Sequence, residues 1–152
     1  MNIVNEMRID FLACPQNESF ARMVVSAFVL PLNPTMEQLG DIKTSVSEAV
    51  TNAILHGYGG KPGTVRMKSS ISAGGELTVE VIDNGCGIED IDRARQPFFT
   101  TQTCGERSGM GFTVMESFMD EVVVYSEKDR GTTVRMRKQI LAPEEILLAQ
   151  RA

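Results

Sequence analysis

The stretch at residues 45–57 constrains the fold most, because it places a polar stripe beside an apolar one at helical spacing. On a helix, Glu48, Asn52 and His56 are four residues apart and project from one side. The neighbouring stripe is apolar and comprises Ile42, Val46, Ala49, Val50 and Ala53. This pattern predicts a helix that packs on a core and holds a carboxylate, an amide and an imidazole at its edge. A helix with an ordinary solvated polar face shows the same spacing.

This helix is expected to end at Gly57, which offers a left-handed stop. The glycine-rich stretch at residues 58–63 cannot continue a helix.

Length and composition indicate one soluble domain, because 152 residues can bury a single core. The net charge of −5 argues against direct nucleic-acid binding, which normally needs a basic surface. It does not argue against a nucleotide, whose phosphates Mg²⁺ and backbone amides can hold. Cys14, Cys86 and Cys104 contain no C-x-x-C pair, which argues against a disulfide framework or a zinc site. With no leader and no long apolar run, we expect a cytoplasmic protein that does not associate with membranes.

Alternating apolar and polar residues predict about five strands, at 7–11, 64–72, 77–82, 122–125 and 132–137. Runs of strands, rather than strict alternation of strands with helices, indicate an α+β sandwich. No repeat or second domain is visible. We expect one domain over residues 1–141 and a tail over residues 142–152 that is able to form a short helix.

Three helices are predicted. The first begins at Asn17 or Ser19 and runs to about residue 30, with Arg22 outward. Its expected inward residues are Phe20, Met23, Val24, Ala27 and Phe28. The second opens with a capping box at Thr35 and Gln38 and leads into residues 45–57. The third covers about residues 109–119.

Asp83-x-Gly85-x-Gly87 stands where a predicted strand gives way to a loop. Glycines there allow a flat ligand to approach the backbone, and the aspartate can accept a hydrogen bond from an exocyclic amine. A simple turn after a strand is an equally open interpretation of this motif.

A second glycine cluster, Gly109-Met110-Gly111, precedes the third helix. Free N–H groups and the positive end of the helix dipole would form a phosphate site there, although a flexible helix entry has the same composition. The irregular stretch at residues 89–108 before it is typical of a functional loop.

The order of these motifs is more specific than any one of them. The Glu-x-x-x-Asn-x-x-x-His helix is followed by Asp-x-Gly-x-Gly, a long loop, Gly-x-Gly before a helix, and Gly131-Thr132-Thr133 before a strand. In this order they resemble the four signature boxes of the GHKL ATPase and kinase superfamily. The resemblance covers nearly the whole chain. It implies the Bergerat fold, a two-layer α/β sandwich whose mixed, mostly antiparallel sheet carries about three helices on one face, and it implies bound ATP and Mg²⁺.

Within that superfamily, further segments resemble the anti-sigma-F family of spore-forming bacteria, namely 18–22, 47–58, 94–101, 107–112 and 118–122. Its members are serine kinases that also sequester a sigma factor, and stress-response anti-sigma kinases share the same boxes. The resemblance implies a sporulation sigma factor and an anti-anti-sigma protein with a target serine as partners. Arg22 and its helix resemble the partner-binding face, and the open edge of the first strand could build a homodimer.

The resemblance also implies roles at the two ends of a nucleotide. Asp83 matches the aspartate that reads adenine, Thr132 supports the same end, and Gly85 and Gly87 shape the pocket. Asn52 matches the asparagine that binds Mg²⁺.

Other roles concern the reacting phosphate. Glu48 matches the carboxylate that orients or deprotonates the attacking hydroxyl. Arg107 is expected to neutralise charge on the γ-phosphate. Further nucleotide contacts are implied for Thr100, Gly109, Met110 and Gly111, and for His56, whose packing against the lid is an equally open alternative.

One departure concerns the lid. The family usually has Phe-Thr-Thr-Lys-Pro where residues 99–103 read Phe-Thr-Thr-Gln-Thr, so Gln102 removes a possible phosphate partner. An ATP-dependent binding module without efficient catalysis is therefore the alternative hypothesis. A histidine-kinase catalytic domain is disfavoured, because the single histidine, His56, lies inside the nucleotide box.

Overall fold

The computed structural model describes residues 2–96 and 111–140, which form one sheet with helices on one face. A 3₁₀ turn (Leu30–Leu32) and a π turn (Ala53–Gly57) follow the first two helices. In chain order the elements are β1 (Ile3–Leu12), α1 (Gln16–Val29), α2 (Met36–Asn52), β2 (Thr64–Ser72), β3 (Glu76–Asp83), α3 (Ile91–Ala94), α4 (Gly111–Phe118), β4 (Glu121–Glu127) and β5 (Gly131–Gln139).

The sheet has the strand order β1-β2-β3-β5-β4, and each of its four strand pairs is antiparallel. The predicted α+β sandwich is therefore confirmed, with an antiparallel sheet where a mixed, mostly antiparallel one was expected. Strands β1 and β4 form the edges, and β3 lies at the centre. The centre of the sheet thus ends at Asp83, opposite Thr132 of β5.

The core lies between the sheet and the helices, because alternate strand residues point to the covered face. Met67, Val79 and Met136 of the central strands are fully buried there. Burying each such side chain stabilises the fold by about 1.5–3 kcal/mol. The opposite face carries charged residues, such as Arg66, which pairs with Asp10 at 2.7 Å.

Helix α2 packs between α1 and α4 and contains Glu48 and Asn52. Its predicted capping box is confirmed: the Gln38 N–H donates to the Thr35 hydroxyl at 3.1 Å, and the Thr35 N–H donates to the Gln38 side chain at 2.9 Å. The expected left-handed end at Gly57 is wrong, because positive φ angles occur only later, at Gly59 (60°) and Gly60 (81°). A π turn, typical of functional sites, ends the helix instead.

Helix α1 differs from its prediction in its start and its inner face. It begins at Gln16 with no side-chain cap. Its buried residues are Ala21, Val25 and Val29, whereas Phe20 and Met23 are 49% and 65% exposed. Of the other predicted inward residues, Val24 and Phe28 are partly buried against the core and Ala27 is exposed, so the buried stripe is rotated from the predicted one. An apolar surface remains exposed on α1 as a result.

Several predictions fall outside the described residues. The predicted helix entry at 109–110, the lid and the tail after residue 141 belong to this group. None of the helices in the described part of the chain is long and apolar enough to cross a membrane.

Candidate functional site

The first residue of α4 lies directly against the polar side chains of α2. A Cβ atom at Gly111 would lie 3.2 Å from Glu48 Oε2 and 3.2 Å from Asn52 Nδ2, so a side chain there would displace them. Helix α4 is held in this place by Phe112 and Met115, which are buried in the core. The N-terminal end of α4, with the positive end of its helix dipole, therefore stands beside a carboxylate and an amide.

This arrangement fits Mg²⁺ bound together with a phosphate. Mg²⁺ prefers oxygen ligands and usually keeps water or substrate oxygens among them. The half-buried Asn52 can supply an amide oxygen next to Glu48. Among the described residues, no cluster of three or more His, Cys, Asp or Glu side chains could hold a metal by itself. A Mg²⁺ ion at Asn52 could complete its coordination with water molecules and phosphate oxygens.

Asp83 forms the other end of the site, at the end of β3. Its side chain is 6% exposed and accepts the Gly85 N–H at 2.9 Å, and the Thr132 N–H also donates to it. Burial raises the pKa of Asp83 from 3.8 to about 6, and the two N–H donors counteract part of that effect. The carboxyl group of Asp83 is therefore largely ionised at neutral pH. It can accept a hydrogen bond from an amine of a nucleobase.

Glycines around Asp83 allow the backbone to pack closely. A Cβ atom at Gly57 would lie 2.7 Å from Asp83 Oδ1, and one at Gly85 would lie 2.0 Å from the carbonyl oxygen of Gly57. Gly87 has a φ of 73°, and a Cβ atom there would lie 2.1 Å from the carbonyl oxygen of Glu127. Gly85 and Gly87 are therefore required by the fold itself, whatever ligand the motif approaches.

Two residues that the sequence interpretation missed complete this end of the site. The Tyr58 hydroxyl accepts the Asn84 N–H at 2.9 Å and donates to the Thr64 carbonyl at 2.5 Å. The Ser126 hydroxyl lies 2.8 Å from that of Thr132. Tyr58 connects the end of the π turn to the start of β2 and to the residue after β3, and Ser126 connects two neighbouring strands. These contacts could be identified only once the fold was known.

His56 is placed differently from Glu48 and Asn52. It lies in the π turn that follows α2, whereas Glu48 and Asn52 lie in α2 itself. Its carbonyl accepts the Cys86 thiol at 3.0 Å, which fixes the π turn to the loop after β3. A nucleotide contact by His56 stays a prediction.

Arg22 lies on α1 and is connected to α2 through Glu18. Arg22 Nη1 is 3.6 Å from Glu18 Oε1, which also accepts a hydrogen bond from Ser47, the residue before Glu48. The remaining predicted site residues, Thr100, Arg107, Gly109 and Met110, lie outside the described residues.

Comparison with known proteins identifies the family to which this chain belongs. The sequence profile of the histidine kinase-like ATPase domain matches residues 11–138. The anti-sigma F factor of Thermoanaerobacter pseudethanolicus is 57% identical over 140 residues, which are 92% of this chain and 97% of that protein. The chain belongs to the histidine kinase-like ATPase family, in its anti-sigma F branch. The anti-sigma F factor of Geobacillus kaustophilus is likewise 57% identical over 136 residues, covering 90% of this chain and 93% of that protein.

Solved structures have the same fold. The RsbU and RsbW domains of a Mycobacterium tuberculosis protein match with a TM-score of 0.67 at 19% identity, over 92% of this chain and 34% of that one. A histidine kinase domain of a blue-light-activated kinase from Erythrobacter litoralis matches with a TM-score of 0.53 at 26% identity, over 74% of this chain and 48% of that one. The predicted GHKL-type fold is confirmed.

Because the pKa of Asp83 is raised, we predict that replacing Asp83 with a neutral residue increases the stability of the fold by an amount that depends on pH. Because its folded-state pKa of about 6 exceeds the ordinary 3.8, the folded protein loses stability as the pH rises through that window. Above it, the buried carboxylate costs up to about 3 kcal/mol. Asp83→Asn should therefore raise the free energy of unfolding by about 1–3 kcal/mol near pH 7.5 and by much less near pH 4.5.

Urea unfolding of the nucleotide-free protein at both pH values measures this difference. Asp129→Asn, at an exposed turn position, serves as the control. A gain for Asp83→Asn that is larger at the acidic pH would contradict the burial argument.

Proposed function

We propose that this chain is an anti-sigma factor and an ATP- and Mg²⁺-dependent serine kinase that acts in the cytoplasm. It would bind and inhibit a sporulation sigma factor and phosphorylate a serine of an anti-anti-sigma protein. The observation that carries this proposal is the pairing of Glu48 and Asn52 with the N-terminus of α4, at one end of a site whose other end is Asp83. The names of relatives that are 57% identical over most of the chain support the anti-sigma assignment.

In this proposal the adenine amine donates to Asp83, and Gly85, Gly87 and Thr132 support the same end. Phosphate oxygens meet the N–H groups at Gly111, with Gly109, Met110 and Thr100 as neighbours in sequence. Mg²⁺, held by Asn52 and the phosphates, would supply charge neutralisation.

Glu48 orients the incoming serine hydroxyl and takes its proton as the hydroxyl oxygen bonds to the γ-phosphorus. The bond from the γ-phosphorus to the bridging oxygen breaks, and ADP leaves. Arg107 would stabilise the charge that develops on the γ-phosphate, and His56 would line the site beside Asn52.

The partner face is proposed on α1. Helix α1 carries Arg22 and also exposes the apolar side chains of Phe20 and Met23. Exposed apolar side chains and arginine are both typical of protein interfaces. A homodimer is proposed through the edge strand β1, where Ile3 and Val4 are exposed.

A phosphotransfer assay tests the function. The purified chain is incubated with ATP, Mg²⁺ and the anti-anti-sigma protein encoded in the same genome, and phosphoserine is sought by mass spectrometry. Capture of the cognate sigma factor is measured in parallel with ATP and with ADP. The proposal predicts one phosphoserine on the antagonist and capture of the sigma factor that depends on the bound nucleotide.

Each arm of the assay has a separate negative outcome. Capture of the sigma factor without phosphoserine on the antagonist would support the alternative hypothesis of an ATP-dependent binding module, which Gln102 in the lid favours. Phosphoserine without capture would contradict the anti-sigma role.

A further inference from the structure

Ser126, in β4, has hydrogen-bond contacts on three sides. Its hydroxyl oxygen accepts the Ile88 N–H at 2.7 Å. The same oxygen lies 3.0 Å from the carbonyl oxygen of Gly131 and 2.8 Å from the hydroxyl of Thr132. Because Ile88 belongs to the loop that follows β3, Ser126 joins that loop to β5. Thr132 is the direct strand partner of Asp83.

The number of available protons determines the direction of these hydrogen bonds. A serine hydroxyl carries one proton, and a carbonyl oxygen can only accept. Ser126 therefore donates to Gly131, and the contact with Thr132 must contain the proton of Thr132. This is the one assignment in which each of the three short contacts contains a proton.

Thr132 then offers only lone pairs to a ligand. It is buried with 9% of its surface exposed, and it is the direct strand partner of Asp83, so the two side chains extend from the same face of the sheet. Two neighbouring acceptors fit a base edge that carries an amine and disfavour one that carries a carbonyl oxygen. Adenine carries an amine and hypoxanthine a carbonyl oxygen at the exocyclic position, which is the position that these acceptors would distinguish. The neighbouring N1 also differs, because it accepts in adenine and carries a proton in hypoxanthine.

We propose that Ser126 is a positioning residue for base selection, which turns the proton of Thr132 away from the ligand and thereby favours ATP over ITP. The inference rests on the proposed ATP site. In Ser126→Ala the proton of Thr132 loses its acceptor and is free to rotate toward the ligand. Thr132 then becomes able to donate to the carbonyl of hypoxanthine.

The test is the ratio of ATP affinity to ITP affinity, measured by calorimetry on the full chain. Both nucleotides share the ribose and the triphosphate. A general destabilisation of the fold would therefore lower both affinities and leave their ratio unchanged. Ser126→Ala should lower the ratio by roughly tenfold, the size expected for one buried hydrogen bond. Ser126→Thr, which keeps a hydroxyl at that position, should retain the wild-type ratio.

A double-mutant cycle shows whether Ser126 acts through Thr132. Thr132→Val alone should lower the ratio, and adding Ser126→Ala to it should cause no further change. If Ser126→Ala does not fold, Ser126→Cys should shift the ratio in the same direction by a smaller factor, because a thiol is a weak acceptor.

Two outcomes would overturn the inference. One is a wild-type ratio of ATP to ITP affinity in Ser126→Ala. The other is an equal drop in that ratio when Ser126→Ala is introduced into the wild type and into Thr132→Val. Absence of ATP binding by the wild-type chain is distinguishable from these. It would overturn the proposed function and the inference with it.

Discussion

Glu48→Gln is expected to lower the rate of phosphoryl transfer by roughly 10²–10⁴-fold, the usual contribution of a positioned base. Glutamine has the same shape as glutamate, so the contact of residue 48 with Gly111 should persist, while the negative charge and the ability to take up the proton are lost. The affinity for ATP and Mg²⁺ should therefore stay within about threefold of the wild type. Single-turnover transfer to the antagonist and equilibrium binding of ATP measure the two quantities separately.

A matched control comes from the same helix. Glu37→Gln neutralises an exposed carboxylate in the first turn of α2, far along the helix from Gly111. Its transfer rate should equal that of the wild type. Equal rates for Glu48→Gln and Glu37→Gln would remove Glu48 from the mechanism.

Gly85→Ala is expected to have the largest effect on stability. The added Cβ atom would lie 2.0 Å from the carbonyl oxygen of Gly57, which also accepts the Cys86 N–H at 2.8 Å. Because the obstructing atom belongs to the backbone, no side chain can rotate to relieve the overlap. We expect a loss of about 3 kcal/mol in the free energy of unfolding, measured by urea denaturation without nucleotide.

The same substitution at Gly40 is the control for this prediction. Gly40 lies within α2, and a Cβ atom there meets nothing within 4 Å. Gly40→Ala should therefore increase stability by about 0.5–1 kcal/mol through helix propensity. A small change for Gly85→Ala, with ATP affinity lost, would show that Gly85 serves the ligand and not the packing of the loop.

The sequence predicted the features that local periodicity and chemistry determine. The capping box at Thr35 and the strands at 64–72 and 77–82 are confirmed because both depend on the local order of residues. The α+β class followed from the order of strands and helices. The location of Asp83 at the end of a strand was also predictable from alternation followed by glycine.

The failures concern features that tertiary contacts determine. Apolar residues of α1 occur on several sides of the helix, so periodicity alone could not decide which stripe would be buried. Phe20 and Met23 were assigned inward wrongly. Gly57 was interpreted through its conformational freedom, whereas its position requires glycine because Asp83 leaves no room for a side chain. Ser126 was missed because its partners come from a loop and a strand that only the fold brings together.

The central claim is that stretches far apart in sequence form one nucleotide site, and nuclear magnetic resonance tests it most directly. The protein is labelled with ¹⁵N and titrated with a non-hydrolysable ATP analogue in the presence of Mg²⁺. We expect the amides of Gly85, Gly111 and Thr132 and the side-chain amide of Asn52 to shift together along one saturation curve. Shifts at Gly85 and Thr132 that leave Asn52 and Gly111 unchanged at saturation would contradict the account.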